Sequence, residues 1–186
     1  MSFDIYVFQL LGSLADKNWI LDALFIFFAK YAVYFLFLLA IFIGWRMDNW
    51  RKKIYFFLLS LTSLIVSRGI VVEILKYAFQ RQRPADYFQL EEVIVHGSSF
   101  AFPSGHTAFL FALSFSFWFF NKKWAWTFAG LSLLVGLSRI VTGAHWPTDI
   151  IFAILIGAIT PFVLEIFFFN KAKKEKSPSV NSTEGD

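Results

Sequence analysis

The chain has 186 residues, 58% hydrophobic and only 16% charged, with 26 Phe, 7 Trp, 6 Tyr and no Cys. Soluble domains carry about a quarter charged residues and disordered chains carry still more, so this composition argues against both. The missing cysteines remove disulfides, thiolate metal sites and thiol nucleophiles, and a net charge of +4 in so apolar a chain points to a membrane rather than to nucleic acid.

At the N-terminus, Phe3, Tyr6, Val7, Leu10, Leu11 and Leu14 recur at helical spacing around Asp4 and Gln9. That pattern predicts a short amphipathic helix on the membrane surface, with a short buried helix as the competing reading. No basic stretch precedes it, as a cleavable signal requires.

Five apolar stretches follow, each near the roughly 20 residues that cross a bilayer core. They run over 20–44, 54–79, 104–120, 124–141 and 148–169. The expectation is an all-α polytopic bundle of five transmembrane helices. It forms one domain over 1–170, followed by a polar tail at 171–186.

Basic residues sort between the two ends of these spans. Arg46, Arg51, Lys52, Lys53, Lys122, Lys123, Lys171, Lys173, Lys174 and Lys176 fall at one end. The positive-inside rule makes that end cytoplasmic, with the N-terminus outside and the C-terminus inside. The opposite end receives Lys17, Lys76, Arg81, Arg83 and Arg139. Topology does not require those cations.

Three segments meet at that external end: KYAFQRQRP (Lys76 to Pro84), PSGH (Pro103 to His106) and SRIVTGAHWPTD (Ser138 to Asp149). Lys76, Arg83 and Arg139 supply cationic donors suited to phosphate oxygens. Ser104 and Gly105 open a helix whose first N–H groups and dipole favour an anion. Pro147 places Asp149 in the first turn of the last span, four residues after His145. A carboxylate there orients a histidine, which predicts His145 as nucleophile on phosphorus and His106 as general acid. Three cations in one cluster oppose a divalent metal, and no further ligand set is present. The expectation is therefore a reaction through phosphohistidine without metal or cofactor.

The pattern Lys76-x6-Arg83-Pro84, Pro103-Ser104-Gly105-His106, Ser138-Arg139-x5-His145-x3-Asp149 resembles the three-part signature of the type 2 phosphatidic acid phosphatase (PAP2) superfamily, which includes the vanadium haloperoxidases. The resemblance implies a helical-bundle core and a metal-independent phosphatase. It implies His145 as nucleophile, His106 as acid, Asp149 as the partner of His145, and a phosphate held by Lys76, Arg83, Ser104, Gly105, His106 and Arg139. The small five-span form looks most like the bacterial undecaprenyl-diphosphate phosphatases, which recycle a lipid carrier for cell-wall synthesis and bear on bacitracin sensitivity. Similar small members act on phosphatidylglycerol phosphate or phosphatidic acid. A non-catalytic lipid binder or transporter on the same scaffold is the reading from another class. The expected partners are a lipid phosphate or diphosphate and the surrounding lipids, with no nucleic acid. Nothing in the sequence fixes an oligomeric state.

Other charges keep two readings each. Arg68 pairs with Glu73, or Glu73 positions Lys76 three residues on. Arg81 assists a second phosphate or faces water. The 86–99 loop, with Glu91, Glu92 and His96, is a lid or a plain connector. Lys30, inside the first span, is expected to pair or to face the bundle interior. Trp45, Trp50, Trp118, Trp124, Trp126 and Trp146 read as an interfacial belt.

Overall fold

A computed structural model describes residues 2–15, 17–90 and 100–169. The tail at 171–186 and loop residues Glu91, Glu92 and His96 lie outside the described residues. Every regular element among the described residues is helical.

Helix α1 (Ser2–Gly12) leads into α2 (Trp19–Lys30) and α3 (Ala32–Trp45). The expected first span is broken: α2 and α3 meet at Tyr31 with a bend of 55°. Lys30 sits at that break, exposed, with its ammonium 5.3 Å from the Tyr31 ring centre rather than inside the bundle. Next comes α4 (Trp50–Leu64), started by Asn49, whose side chain accepts from the Arg51 and Lys52 N–H groups. It continues through a π-helical stretch, Ile65–Val71, into α5 (Val72–Phe79) and a short α6 (Pro84–Phe88).

Helix α7 (Gly105–Ser116) ends in a 3₁₀ turn, Phe117–Phe119. Asn121 caps α8 (Lys122–Val141), and α9 (Pro147–Leu164) passes into a second π-helical stretch, Glu165–Phe169. Expected and observed boundaries agree to within a few residues.

Among the described residues three helices are long and apolar enough to cross a membrane, or four with the bent α2–α3 pair counted as one. The expected third span falls short. Its 12 α-helical and three 3₁₀ residues reach about 22 Å. Helix α7 is short because it is central. It packs against α3, α4, α8 and α9, and Thr107, Ala108, Leu110, Ala112 and Ser114 are buried on several sides. Gly157 of α9 lies so close that an added Cβ would stand 2.5 Å from the Ala108 carbonyl oxygen. The main apolar core surrounds α7, with Leu36, Phe56, Leu113, Phe117, Phe128 and Val135 among its members.

Among the described residues the chain passes five times between two ends. At one end, Arg46, Lys52, Asn121 and Trp124 line a common cleft of about 490 Å³, so the α3–α4 and α7–α8 connections adjoin. The other end gathers α1, the region after α5, the start of α7 and the α8–α9 turn. Outer faces are apolar: Phe35, Leu38, Phe42, Ile74 and Ile166 are all exposed. Trp45, Trp50, Trp124 and Trp126 are exposed as a belt requires, whereas Trp146 is buried and donates from Nε1 to the Gln82 carbonyl at 2.8 Å.

Helix α1 presents its face in an unexpected sense. Phe3, Tyr6 and Leu10 point outward, while Asp4 and Phe8, one turn apart, are buried. Phe8 stacks on Phe88 at 5.5 Å and meets Trp146 edge-on at 5.7 Å. The polar residue faces the protein because its partners are there.

Candidate active site

Backbone hydrogen bonds tie the three signature segments together. The Ala85 N–H donates to the Gly143 carbonyl at 3.1 Å, Ala101 to Arg81 at 2.8 Å, and Ser104 to Asp149 at 3.2 Å. Gly143 has φ +73°, a conformation that suits glycine, and it reverses the chain after α8. The turn brings the His145 N–H back to the Arg139 carbonyl at 3.1 Å.

Lys76, Arg83, Arg139, His145 and Asp149 are all buried. Arg83 Nη1 donates to the Ala144 carbonyl at 2.8 Å, beside His145. Arg139 Nη1 donates to the Ala29 carbonyl at 2.8 Å, an acceptor at the break after α2. Arg139 Nε is buried without a hydrogen-bond partner among the described residues. Arg83 and Arg139 both act electrostatically on Lys76 and on His145. Buried cations this close repel one another, and a bound anion relieves them. Ser104 is fully buried at the start of α7, and its Oγ accepts from Thr107 Oγ1 at 3.0 Å, leaving the Ser104 hydroxyl proton to donate elsewhere. Gly105 and the half-buried His106 open onto a cleft of about 380 Å³.

His145 departs from the expected pairing. Its Nδ1 lies 2.7 Å from the Ala101 carbonyl oxygen and 3.6 Å from Asp149 Oδ2. A carbonyl only accepts, so Nδ1 carries the proton and Nε2 is left with its lone pair. Asp149 is a charged neighbour rather than the direct acceptor, because Oδ2 accepts from the Trp146 N–H at 2.8 Å and Oδ1 from Arg81 at 2.6 Å. Burial first, then the Arg139 and Arg83 charges, hold the His145 imidazole well below its ordinary 6.5. The ring is neutral at pH 7.

Arg81 is held by two carboxylates of the protein, with its side chain 21% exposed. One Nη1 serves Asp149 Oδ1 at 2.6 Å and Thr148 Oγ1 at 2.7 Å, while Nη2 reaches Asp4 Oδ2 at 2.5 Å. Its guanidinium carbon is 5.4 Å from the Trp146 ring centre. Asp4 also accepts from the Thr148 N–H at 2.9 Å and hydroxyl at 2.8 Å. Burial pushes the Asp4 carboxyl up, but the bonds to Arg81 and Thr148 outweigh it and hold the group below its ordinary 3.8. Asp4 is therefore ionised at neutral pH, and its bonds to Arg81 and Thr148 weaken as pH falls through that lowered value.

Sequence reasoning missed Asp4 and the Ala101 carbonyl as parts of the site, and it did not foresee that Arg81 would bind Asp4 and Asp149. The available signal was Asp4, the one acid in the apolar α1. Replacing Asp4 by asparagine is expected to lower kcat about tenfold by loosening Arg81 and Asp149. Asp4→Glu should recover part of that loss. Steady-state kinetics on folded, gel-filtered protein checks both variants.

Among the described residues no three His, Asp or Glu side chains converge as metal ligands. Comparison with known proteins places this geometry in context. Undecaprenyl-diphosphatase BcrC of Bacillus subtilis is 29% identical over 84% of this chain and 80% of its own length. The crystal structure of Aquifex aeolicus LpxE superposes with a TM-score of 0.68 at 27% identity, covering 88% of this chain and 94% of that one. A PAP2-type phosphatidylglycerolphosphate phosphatase from Bacillus subtilis shares the fold, with a TM-score of 0.65 at 23% identity over 94% of this chain and 88% of its own. The family description "PAP2 superfamily" matches residues 56–173, most of the helical bundle and all three segments of the site. This multi-pass membrane chain belongs to the PAP2 superfamily and is a lipid phosphatase.

Proposed function

We propose that the protein hydrolyses undecaprenyl diphosphate to undecaprenyl phosphate and inorganic phosphate at the extracytoplasmic face of the cell membrane. The observation that carries the chemistry is a buried His145 whose Nδ1–H is committed to Ala101, beside the Arg83 and Arg139 cations. Similarity to BcrC over most of both chains supports the lipid.

The terminal phosphate sits among Lys76, Arg83, Arg139, the Ser104 hydroxyl and the first N–H groups of α7. His145 Nε2 attacks phosphorus, an N–P bond forms, and the bridging P–O bond breaks with its electron pair leaving on oxygen. His106 protonates that oxygen. The phosphorylated ring is cationic, and the Ala101 carbonyl and the Asp149 carboxylate offset that charge. Water then attacks phosphorus, His106 takes its proton, and the N–P bond breaks to release phosphate. The fixed cations stabilise charge on the phosphoryl oxygens throughout. In sequence, Arg46, Arg51, Lys52, Lys53, Lys122, Lys123, Lys171, Lys173, Lys174 and Lys176 follow the other ends of the spans, ten against Lys17, Arg68, Lys76, Arg81, Arg83 and Arg139 at the site end, and that bias supports an external site and a cytoplasmic C-terminus.

A phosphate-release panel tests the assignment. Purified protein is expected to release phosphate from undecaprenyl diphosphate faster than from phosphatidylglycerol phosphate or phosphatidic acid. Activity should persist in EDTA and fall with vanadate, a five-coordinate phosphorus mimic. Rapid hydrolysis of phosphatidylglycerol phosphate with no release from the diphosphate would overturn the lipid assignment. Loss of activity in EDTA would overturn the metal-free route, and lipid movement without hydrolysis would favour a transporter.

A further inference from the structure

Arg68 lies outside the three signature segments, yet the π-helical stretch Ile65–Val71 carries it to the mouth of the site. Such wide turns are rare and frequently occur at functional sites. The side chain lies directly over the start of α7: a Cβ on Gly105 would stand 2.5 Å from Arg68 Nε and 2.9 Å from Cδ. Glycine is what permits that approach. Arg68 shares a cleft of about 380 Å³ with Gly105 and His106, and the remaining walls include the apolar Val33, Phe37 and Phe109.

Glu73 accepts from Arg68 Nη1 and also stands 3.9 Å from Lys76, so one carboxylate serves two cations. The other Arg68 N–H groups make no hydrogen bond among the described residues, and the side chain is 39% exposed. Arg68 therefore offers donors to a ligand in the cleft while Glu73 tethers it.

In the reaction proposed above, the leaving oxygen lies on the His106 side of the transferred phosphoryl group. In a phosphate monoester, carbon follows that oxygen. In a diphosphate, a second phosphorus follows, with its own charged oxygens. A cation next to the general acid, in a wall otherwise apolar apart from the Tyr34 hydroxyl, meets the second case and not the first.

We propose that Arg68 forms a subsite for the second, lipid-attached phosphate of a diphosphate substrate. When the bridging P–O bond breaks, its electron pair stays on the departing lipid monophosphate, His106 supplies the proton, and the guanidinium stabilises the charge on that leaving group. Val33, Phe37 and Phe109 then face the first carbons of the lipid chain. This inference rests on the diphosphatase reading.

The test compares farnesyl diphosphate with farnesyl monophosphate, which share one chain, on purified wild type, Arg68→Gln and Arg68→Lys. Arg68→Gln is expected to lower kcat/KM for the diphosphate about 10- to 100-fold while the monophosphate changes by less than about threefold, as loss of a charge-assisted bond made to one substrate only requires. Arg68→Lys keeps the charge without the fork and should fall between wild type and Arg68→Gln. Gel filtration and thermal unfolding in detergent check the fold, and Arg68→Lys alone decides the matter if Arg68→Gln does not fold. Equal losses on both substrates, or an unchanged ratio, overturn the subsite and leave the diphosphatase reading standing. A wild type inactive on every diphosphate overturns that reading and the subsite with it.

Discussion

Substitution of His145 by alanine is expected to lower phosphate release by about 10⁴-fold or more, because it removes the proposed nucleophile. The fold should survive, since the ring's one close hydrogen bond is to the Ala101 carbonyl at 2.7 Å. Rapid quenching of wild type with a labelled terminal phosphate should trap an acid-labile phosphohistidine, and the variant should show none. Activity in the variant within tenfold of wild type would remove His145 from the reaction. The pH profile gives a second reading of the same group. Burial and the two arginines hold the His145 pKa well below 6.5, so Nε2 remains unprotonated in mildly acidic solution. The acid limb of kcat/KM assigned to this group should therefore fall below pH 6.5. Stability takes the same sign. The folded chain resists protonating His145 while the unfolded chain does not, so this group favours folding above its ordinary value and opposes it progressively as pH drops.

His106→Ala is the second large effect, with an expected loss of about 10²- to 10⁴-fold in kcat for lipid substrates. The cause is the leaving oxygen, which departs poorly without a proton. A substrate whose leaving group needs no proton separates this role from simple phosphate binding. With p-nitrophenyl phosphate the deficit should shrink to about tenfold or less. A loss of the same size on both substrate types would show that His106 binds phosphate and does not deliver a proton. His106 opens onto the cleft beside Gly105, where a leaving group has room to depart.

The fold was legible in the sequence wherever apolar length decided it. Stretches near 54–79, 124–141 and 148–169 emerge as helices because burying a backbone in lipid leaves few alternatives. The break at Tyr31 was not legible, since α2 and α3 are both apolar and neither Gly nor Pro marks the bend. The central position of α7 was equally hidden. Its residues are as apolar as those of a lipid-facing helix, and only the contacts separate the two.

The site divides along a similar line. Lys76, Arg83, His106, Arg139, His145 and Asp149 stood out because side chains with strong chemistry lie at the span ends and turns that the topology brings to one side. The groups that hold them did not. Ala101 and Ala29 act through backbone carbonyls, which every residue has. Arg81 and Asp4 find each other across 77 positions of sequence. Their pairing follows from how α1 docks, and periodicity within α1 pointed its polar side the opposite way.

The shortness of α7 has a consequence for the surrounding lipid. Its 3₁₀ turn ends beside the Asn121 and Lys122 end of the bundle, and its start carries Ser104 and Gly105. The start of α7 thus lies about 22 Å from its Asn121 end, less than the roughly 30 Å of a bilayer's hydrocarbon layer. A bilayer meets a central helix shorter than its own hydrocarbon thickness by thinning locally, which would bring the lipid headgroups closer to the start of α7.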